Sequence, residues 1–205
     1  MKQQKQKKGG KLKWIIIAII AIGVIGGALG GGDEEDNTSS SNKKSTAATT
    51  KAKKDVPAEY ESALKKAVTY GETMYMSKQG IYDQLVSENG EKFSEKAANY
   101  AIQNLKMDWK KNALEKAKEY NESMYMSKQG LYDQLVSKHG EKFTAKQAKY
   151  AVNTIKANWK KNALEKAKEY QDSMDMSPEA IRDQLTSKSG EKFTKEEADY
   201  AIKNL

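Results

Sequence analysis

The sequence predicts an all-α protein: three tandem helix-turn-helix repeats of 50 residues joined by long helices, behind an N-terminal transmembrane helix and a disordered linker. Two observations carry most of this prediction. A seven-residue motif that begins at Met74 returns at Met124 and, in altered form, at Met174. No β pattern appears in this part of the chain, and the residues before it are apolar and then polar. Such a regular repeat indicates stacked supersecondary units, which usually bind along a surface.

The N-terminal region begins with a basic tail, residues 1–13, followed by a predicted transmembrane helix at residues 14–32. Its 19 uncharged residues would span about 28 Å as a helix, close to the ~30 Å of a bilayer core. Six lysines precede it, so the positive-inside rule places the N-terminus in the cytoplasm and the repeats on the extracellular face. Cleavage of a signal peptide near Gly30 is the alternative, and it would make the repeats secreted. The predicted membrane anchor consists of Trp14, Ile15, Ile16, Ile17, Ile19, Ile20, Ile22, Val24 and Ile25.

Residues 33–57 form a polar linker rich in Ser, Thr and Lys, without an aromatic residue. This composition predicts a disordered tether with a root-mean-square reach of roughly 25–30 Å and a stretched limit of about 85 Å. A tethered domain would therefore stay near the outer leaflet. The chain has no cysteine, which excludes disulfides, a cysteine nucleophile and a lipid-modified N-terminal cysteine.

Each repeat shows three helical segments. In the second copy an amphipathic helix that includes Ala113 and Tyr120 is followed by Ser127, which can cap a short second helix. Thr144 and Thr194 each start a capping box that opens a third helix. In the third copy, proline follows the capping serine at the first helical position. The predicted repeats span residues 58–110, 111–160 and 161–205.

The connections between repeats lack a helix-breaking residue. Residues 95–126 and 145–174 contain no Gly or Pro, so the third helix of one copy is expected to continue into the first helix of the next. Trp109 and Trp159 occupy equivalent positions where two copies meet, whereas the first copy has Glu59 there. Their large apolar area predicts inter-repeat packing, with ligand stacking as the alternative.

Two tyrosines are candidates for contact with a partner. Tyr75 and Tyr125 correspond to Asp175 in the third copy, and because a core position rarely accepts Asp, we expect both tyrosines to be exposed. Exposed Tyr and Met side chains favour protein contact, and a partly covered helix end is the alternative. The candidate partner-binding residues are Tyr75, Met76, Tyr125 and Met126.

Catalytic patterns are missing from the sequence. His139, the single histidine, stands where the other copies have Asn89 and Ser189, and the recurring acids Asp83 and Glu91 read as solvated, capping or structural carboxylates. There is no phosphate loop, nucleophile elbow or metal-ligand cluster. The sequence therefore predicts no enzyme, no cofactor, no metal and no small-molecule substrate. The repeats hold 25 basic and 23 acidic residues, which argues against a nucleic-acid partner despite the net charge of +8.

The repeated motif resembles the Ltp-like host cell surface-exposed lipoproteins of Gram-positive bacteria and their temperate phages. The matching residues of the second copy are Ala113, Leu114, Tyr120, the run from Ser123 to Ser127, the run from Leu131 to Leu135, Ala148, Tyr150 and Ala151. The resemblance implies tandem helix-turn-helix domains outside the membrane. The chain departs from the family in two ways. The anchor cysteine is missing, with a predicted transmembrane helix in its place, and the chain has three copies of the repeat.

Three functions are compatible with these observations. The resemblance implies superinfection exclusion, in which a prophage-encoded protein binds the injection machinery of an incoming phage, a tail or tape-measure protein, and blocks DNA entry. The alternative is a general cell-surface module that binds wall polymer or a host protein. DNA recognition by the helix-turn-helix units is disfavoured by export and by the near-neutral repeats.

Overall fold

The computed structural model describes residues 56–205, and this part of the chain contains nine α-helices and no strand. The helices form three successive groups of three, which confirms the predicted all-α repeat architecture. The bounds are α1 Ala58–Thr73, α2 Lys78–Val86, α3 Glu95–Asn104, α4 Trp109–Met124, α5 Lys128–Val136, α6 Ala145–Thr154, α7 Trp159–Met174, α8 Pro178–Thr186 and α9 Lys195–Lys203. The predicted transmembrane helix and residues 33–55 of the predicted linker lie outside the described residues. Within residues 56–205 no helix is both long enough and apolar enough to cross a bilayer.

Each repeat has its own small core, in which the first helix packs against the third and the short second helix covers both. The contact between α1 and α3 is lined by alanines with no exposed surface, Ala63 and Ala67 facing Ala97 and Ala101. Small side chains let two helix axes approach closely. The second helix adds the larger apolar groups, which are fully buried in every copy: Ile81, Leu85, Leu131, Leu135, Ile181 and Leu185.

Most of the described helices begin with a side-chain cap, as the sequence predicts. Ser127 Oγ accepts from Gly130 N at 3.0 Å at the start of α5. Thr144 and Thr194 each form a full capping box with the Gln or Glu three residues later, and Pro178 stands at the first turn of α8. These caps satisfy amide groups that the first turn of a helix leaves without an intrahelical partner.

The loop between the second and third helices has the same form in all three copies. Gly90 lies so close to the carbonyl oxygen of Gln84 that an added Cβ would be 2.5 Å from it, which explains the glycine. Two residues later Lys92 adopts a left-handed backbone with φ 56°, and Lys142 and Lys192 do the same. The loop thereby turns a lysine side chain outward at the same point of each repeat.

The prediction of long continuous helices between repeats is wrong. The helix α3 ends at Asn104, Leu105 is extended with ψ 118°, and α4 begins only at Trp109. Asp108 caps the new helix, since its Oδ1 accepts from Lys110 N at 3.0 Å and from Lys111 N at 3.1 Å. At the second junction Asn158 accepts from Lys161 N at 3.0 Å. Asp and Asn side chains offer the backbone an alternative to helix continuation, so no Gly or Pro is needed to break the chain.

Replacing Asp108 by alanine should destabilise the protein by about 1 kcal/mol, because two helix amides lose their acceptor. Asp108→Asn is the matched control, since asparagine caps the equivalent helix at position 158. Urea unfolding, monitored by circular dichroism, measures the free energy of unfolding of both variants. Equal stability of the alanine variant and the parent protein would contradict the capping role.

Candidate functional site

The seams between repeats are built around two buried asparagines. Asn112, which is 4% exposed, donates from Nδ2 to Gly71 O at 2.9 Å and to Met76 O at 3.2 Å in the preceding repeat. At the second seam Asn162 donates to Asn121 Oδ1 at 2.8 Å and to Met126 O at 2.9 Å. The equivalent residue of the first copy is the exposed Ser62. Asparagine thus stands only where another described repeat precedes it.

The two seam tryptophans lie beside these asparagines at the first position of α4 and α7. Trp109 is half-buried and packs against the core cluster of the first repeat, although it opens α4, the first helix of the second three-helix unit. Trp159 packs in the same way against the core cluster of the second repeat. Each indole therefore covers apolar surface that the preceding repeat cannot bury alone.

A lysine of each following repeat is paired with an aspartate of the preceding one. Lys142 Nζ donates to Asp83 Oδ2, and Lys192 Nζ donates to Asp133 Oδ2 at 2.5 Å. Gln79 and Gln129 donate to the other oxygen of each aspartate at 2.8 Å. All four charged side chains are about a third exposed, so each pair contributes at most about 1 kcal/mol. Asp83 is therefore a link to the next repeat rather than a solvated or capping carboxylate.

Backbone packing completes the second seam. Ser127 Oγ donates to Glu191 O at 2.6 Å. A Cβ on Gly130 would meet the same carbonyl oxygen at 3.5 Å, so this helix start lies against the next repeat. In the third copy Ser177 is retained but exposed, Ala180 replaces the glycine, and Pro178 and Glu179 replace the residues between them. Within the described chain no repeat follows to contact these positions. The altered third motif therefore coincides with the face that forms a seam in the other two copies.

The four candidate partner-binding residues lie at the ends of α1 and α4. Tyr75, Met76, Tyr125 and Met126 are all half-buried, so the two tyrosines are less exposed than expected. Met76 and Met126 pack against the cores of their own repeats. Tyr75, Tyr125 and Asp175 share a left-handed backbone with φ near 50°. Asp is among the residues that tolerate this conformation, so backbone geometry explains the substitution that suggested exposure.

The two seams differ in which side of the contact carries the larger side chain. At the first seam, a Cβ on Gly71 would be 2.4 Å from Met107 Cε, so the methionine occupies the space that a side chain would need. At the second seam the equivalent residues are Asn121 and Ala157. A large residue on one side is therefore matched by a small one on the other.

One tyrosine in each repeat, buried in the second copy and half-buried in the other two, is hydrogen-bonded to the loop glutamate. Tyr70 Oη donates to Glu91 Oε1 at 2.5 Å, and Tyr120 and Tyr170 donate to Glu141 and Glu191 at 2.6 Å. Burial, together with the hydrogen bond to the glutamate, raises the pKa of Tyr70 to about 12 and that of Tyr170 to about 12. The hydrogen bond from Tyr70 lowers the pKa of Glu91. These contacts fix the loop that carries the seam lysine.

A groove lies at the first seam, where two cavities of about 480 and 390 Å³ share Gln79, Lys142 and Thr144. Its walls also carry Lys78 and Lys138, while Tyr82 and Ile102, both half-buried, supply apolar surface. Polar and basic groups beside a small apolar area suit contact with a polypeptide. We call this the first-seam groove. Sequence reasoning missed the groove and the seam asparagines because their partners are distant in the chain.

Comparison with protein families gives a match to the host cell surface-exposed lipoproteins at residues 58–105, 108–155 and 158–205. The chain belongs to this family. The match confirms the resemblance seen in the sequence, and each matched segment contains one three-helix unit of the fold. A search of curated proteins finds no match for this family member.

Among solved structures, the family member is similar to Ltp, a superinfection exclusion protein from the Streptococcus thermophilus temperate phage TP-J34. The two sequences are 45% identical, and the TM-score is 0.45. The similarity covers 50% of this chain and 100% of the Ltp chain.

Gly71→Asn should destabilise the first seam by about 1 kcal/mol, because the new side chain overlaps the flexible end of Met107, which has to move aside. Adding Met107→Ala should recover part of this loss, giving a coupling free energy of about 0.5 kcal/mol. Urea unfolding of the parent protein, the two single variants and the double variant measures this coupling free energy.

The second seam supplies the matched control. Ala157→Met should clash with Asn121, and Asn121→Gly should relieve the clash. Strictly additive effects at both seams would show that these residues do not compete for the same space.

The half-buried tyrosines Tyr70 and Tyr170 predict a loss of stability at high pH. Their pKa is raised in the folded state, so the unfolded chain releases its phenolic protons first, and stability falls as pH rises from about 10 towards 12. Tyr170→Phe should reduce the slope of unfolding free energy against pH in this range. Urea unfolding at several alkaline pH values tests this, with the exposed Tyr200→Phe as control. An unchanged slope for Tyr170→Phe would contradict it.

Proposed function

We propose that this protein acts in superinfection exclusion, by binding a component of the phage DNA-injection machinery at the cell surface. The observation that carries the proposal is the family match in all three repeats. Superinfection exclusion is named for the phage TP-J34 protein Ltp. A phage tail or tape-measure protein is the partner we propose.

The shape of the described region supports a binding role. The seams join the three units through buried amides and Lys–Asp pairs, so the array presents a continuous surface to a partner. Repeat arrays typically use such extended surfaces for protein binding. The first-seam groove is one candidate contact area, and the half-buried tyrosines Tyr75 and Tyr125 are others.

The proposed location is the outer face of the cell membrane. The predicted helix at residues 14–32 would anchor the chain, and the linker at residues 33–57 would keep the repeats within about 85 Å of it. Phage DNA crosses the envelope at this surface, so a short tether would hold the array near the point of entry.

Expression of the full chain in a phage-sensitive Gram-positive host should leave phage adsorption normal and reduce intracellular phage DNA for some members of a phage panel. Adsorption is measured from free phage, and DNA entry by quantitative amplification from washed cells. A matched chain without residues 14–32 should lose the protection if membrane tethering is required.

Unchanged DNA entry for every phage would contradict the proposal. Retention of the protein on purified wall material would then favour a general surface-binding module. Reduced adsorption would indicate a receptor-masking mechanism instead.

A further inference from the structure

The three repeats differ in charge although they share one fold. The segment 58–105 has five lysines and seven acids, and the segment 158–205 has nine basic residues and ten acids. The middle segment, 108–155, has nine lysines and six acids. Basic charge is thus concentrated in the middle of the array, between two weakly acidic repeats.

Much of the difference lies on one exposed helix face. Lys146, Lys149 and Tyr150 share a face of α6, since they are three and four residues apart, and all three are exposed. Lys110 Nζ lies 5.3 Å from the centre of the Tyr150 ring, which brings a third ammonium group to the face. None of these lysines has an ion-pair partner among residues 56–205. We call this set the middle basic face.

The equivalent faces of the other two repeats are different. In the first, Asn99 replaces the second lysine, and Tyr60 and Tyr100 stack with ring centres 5.3 Å apart. In the third, Glu196 and Asp199 replace both lysines. Glu196 accepts from Lys160 at 2.6 Å, and Asp199 accepts from Lys195 at 2.6 Å. The side chains on this face therefore vary while the helix beneath them is retained.

We propose that the middle basic face binds a short acidic segment of a partner protein. Three unpaired ammonium groups around a tyrosine that is 40% exposed can contact carboxylates while the ring covers an apolar side chain. The flanking acidic repeats decide the class of partner. A long polyanion such as DNA, or an anionic membrane surface, would also face the first and third repeats, where like charges repel it. A short acidic segment reaches the middle repeat alone. The inference goes beyond the proposed exclusion activity and does not depend on it.

The test uses the full chain in detergent and a fluorescein-labelled peptide of alternating glutamate and serine, with glutamine in place of glutamate in a control peptide. Fluorescence anisotropy should show binding of the acidic peptide that weakens as salt is added. The double variant K146E/K149D, which installs the residue types of the third repeat, should bind about tenfold more weakly. The fold should survive, because Glu196 and Asp199 occupy these positions in α9. Thermal unfolding checks this.

Two further variants sharpen the result. K65E/K188E changes the net charge equally at exposed lysines of the outer repeats, and it should leave affinity nearly unchanged. E196K/D199K gives the equivalent face of the third repeat the two lysines of the middle basic face, and it should add a second binding site for the acidic peptide. Equal weakening by both lysine double variants, or no binding by the parent chain, would overturn the proposal. Tighter binding of single-stranded DNA or phosphatidylglycerol vesicles through the same two lysines would also overturn it and assign the face to a polyanion.

Discussion

Stacking one repeat on another buries the end of a helix, and this creates the constraint on which the array depends. The last turn of a helix leaves carbonyl groups without intrahelical donors, and such groups cannot be buried without a replacement partner. Asn112 supplies one for Gly71 and for Met76 just beyond the helix end. Asn162 serves Met126 at the second seam. An apolar residue of similar size would pack but would leave these carbonyls unsatisfied, so the amide defines where the next repeat sits.

Other seam contacts adjust this placement. The tryptophans cover the remaining apolar surface, and the exchange between Gly71 with Met107 and Asn121 with Ala157 lets each seam fill its space differently. The Lys–Asp pairs lie at the partly exposed edge, where they contribute little stability and mainly favour one relative orientation. In the third copy, Ala180 stands where Gly130 lies against the following repeat in the second copy.

Sequence reasoning recovered the features that depend on neighbouring residues. The capping boxes at Thr144 and Thr194 and the buried stripe of each helix follow from short spacings, and the structure contains them. The break between repeats was missed because Asp108 and Asn158 end helix continuity through side-chain caps instead of through Gly or Pro. The seam contacts join residues 36 to 64 positions apart, so no local pattern reveals them. Asp175 is exposed but does not predict the half-buried state of Tyr75 and Tyr125, because a left-handed backbone, as well as exposure, can favour Asp.

The closure of each core within its own unit also determines how the chain can acquire its structure. The clusters around Ala63, Ala113 and Ala163 draw their buried members from a single repeat. Contacts between residues close in sequence form quickly, and a nascent chain emerges from its N-terminal side. The first unit can therefore fold before the second has been synthesised, and each later unit can use the finished one as a template. In that order the seam would form last, when the asparagine of the later repeat reaches the carbonyls of the earlier one. The closed cores thus allow the array to fold one unit at a time from its N-terminal side.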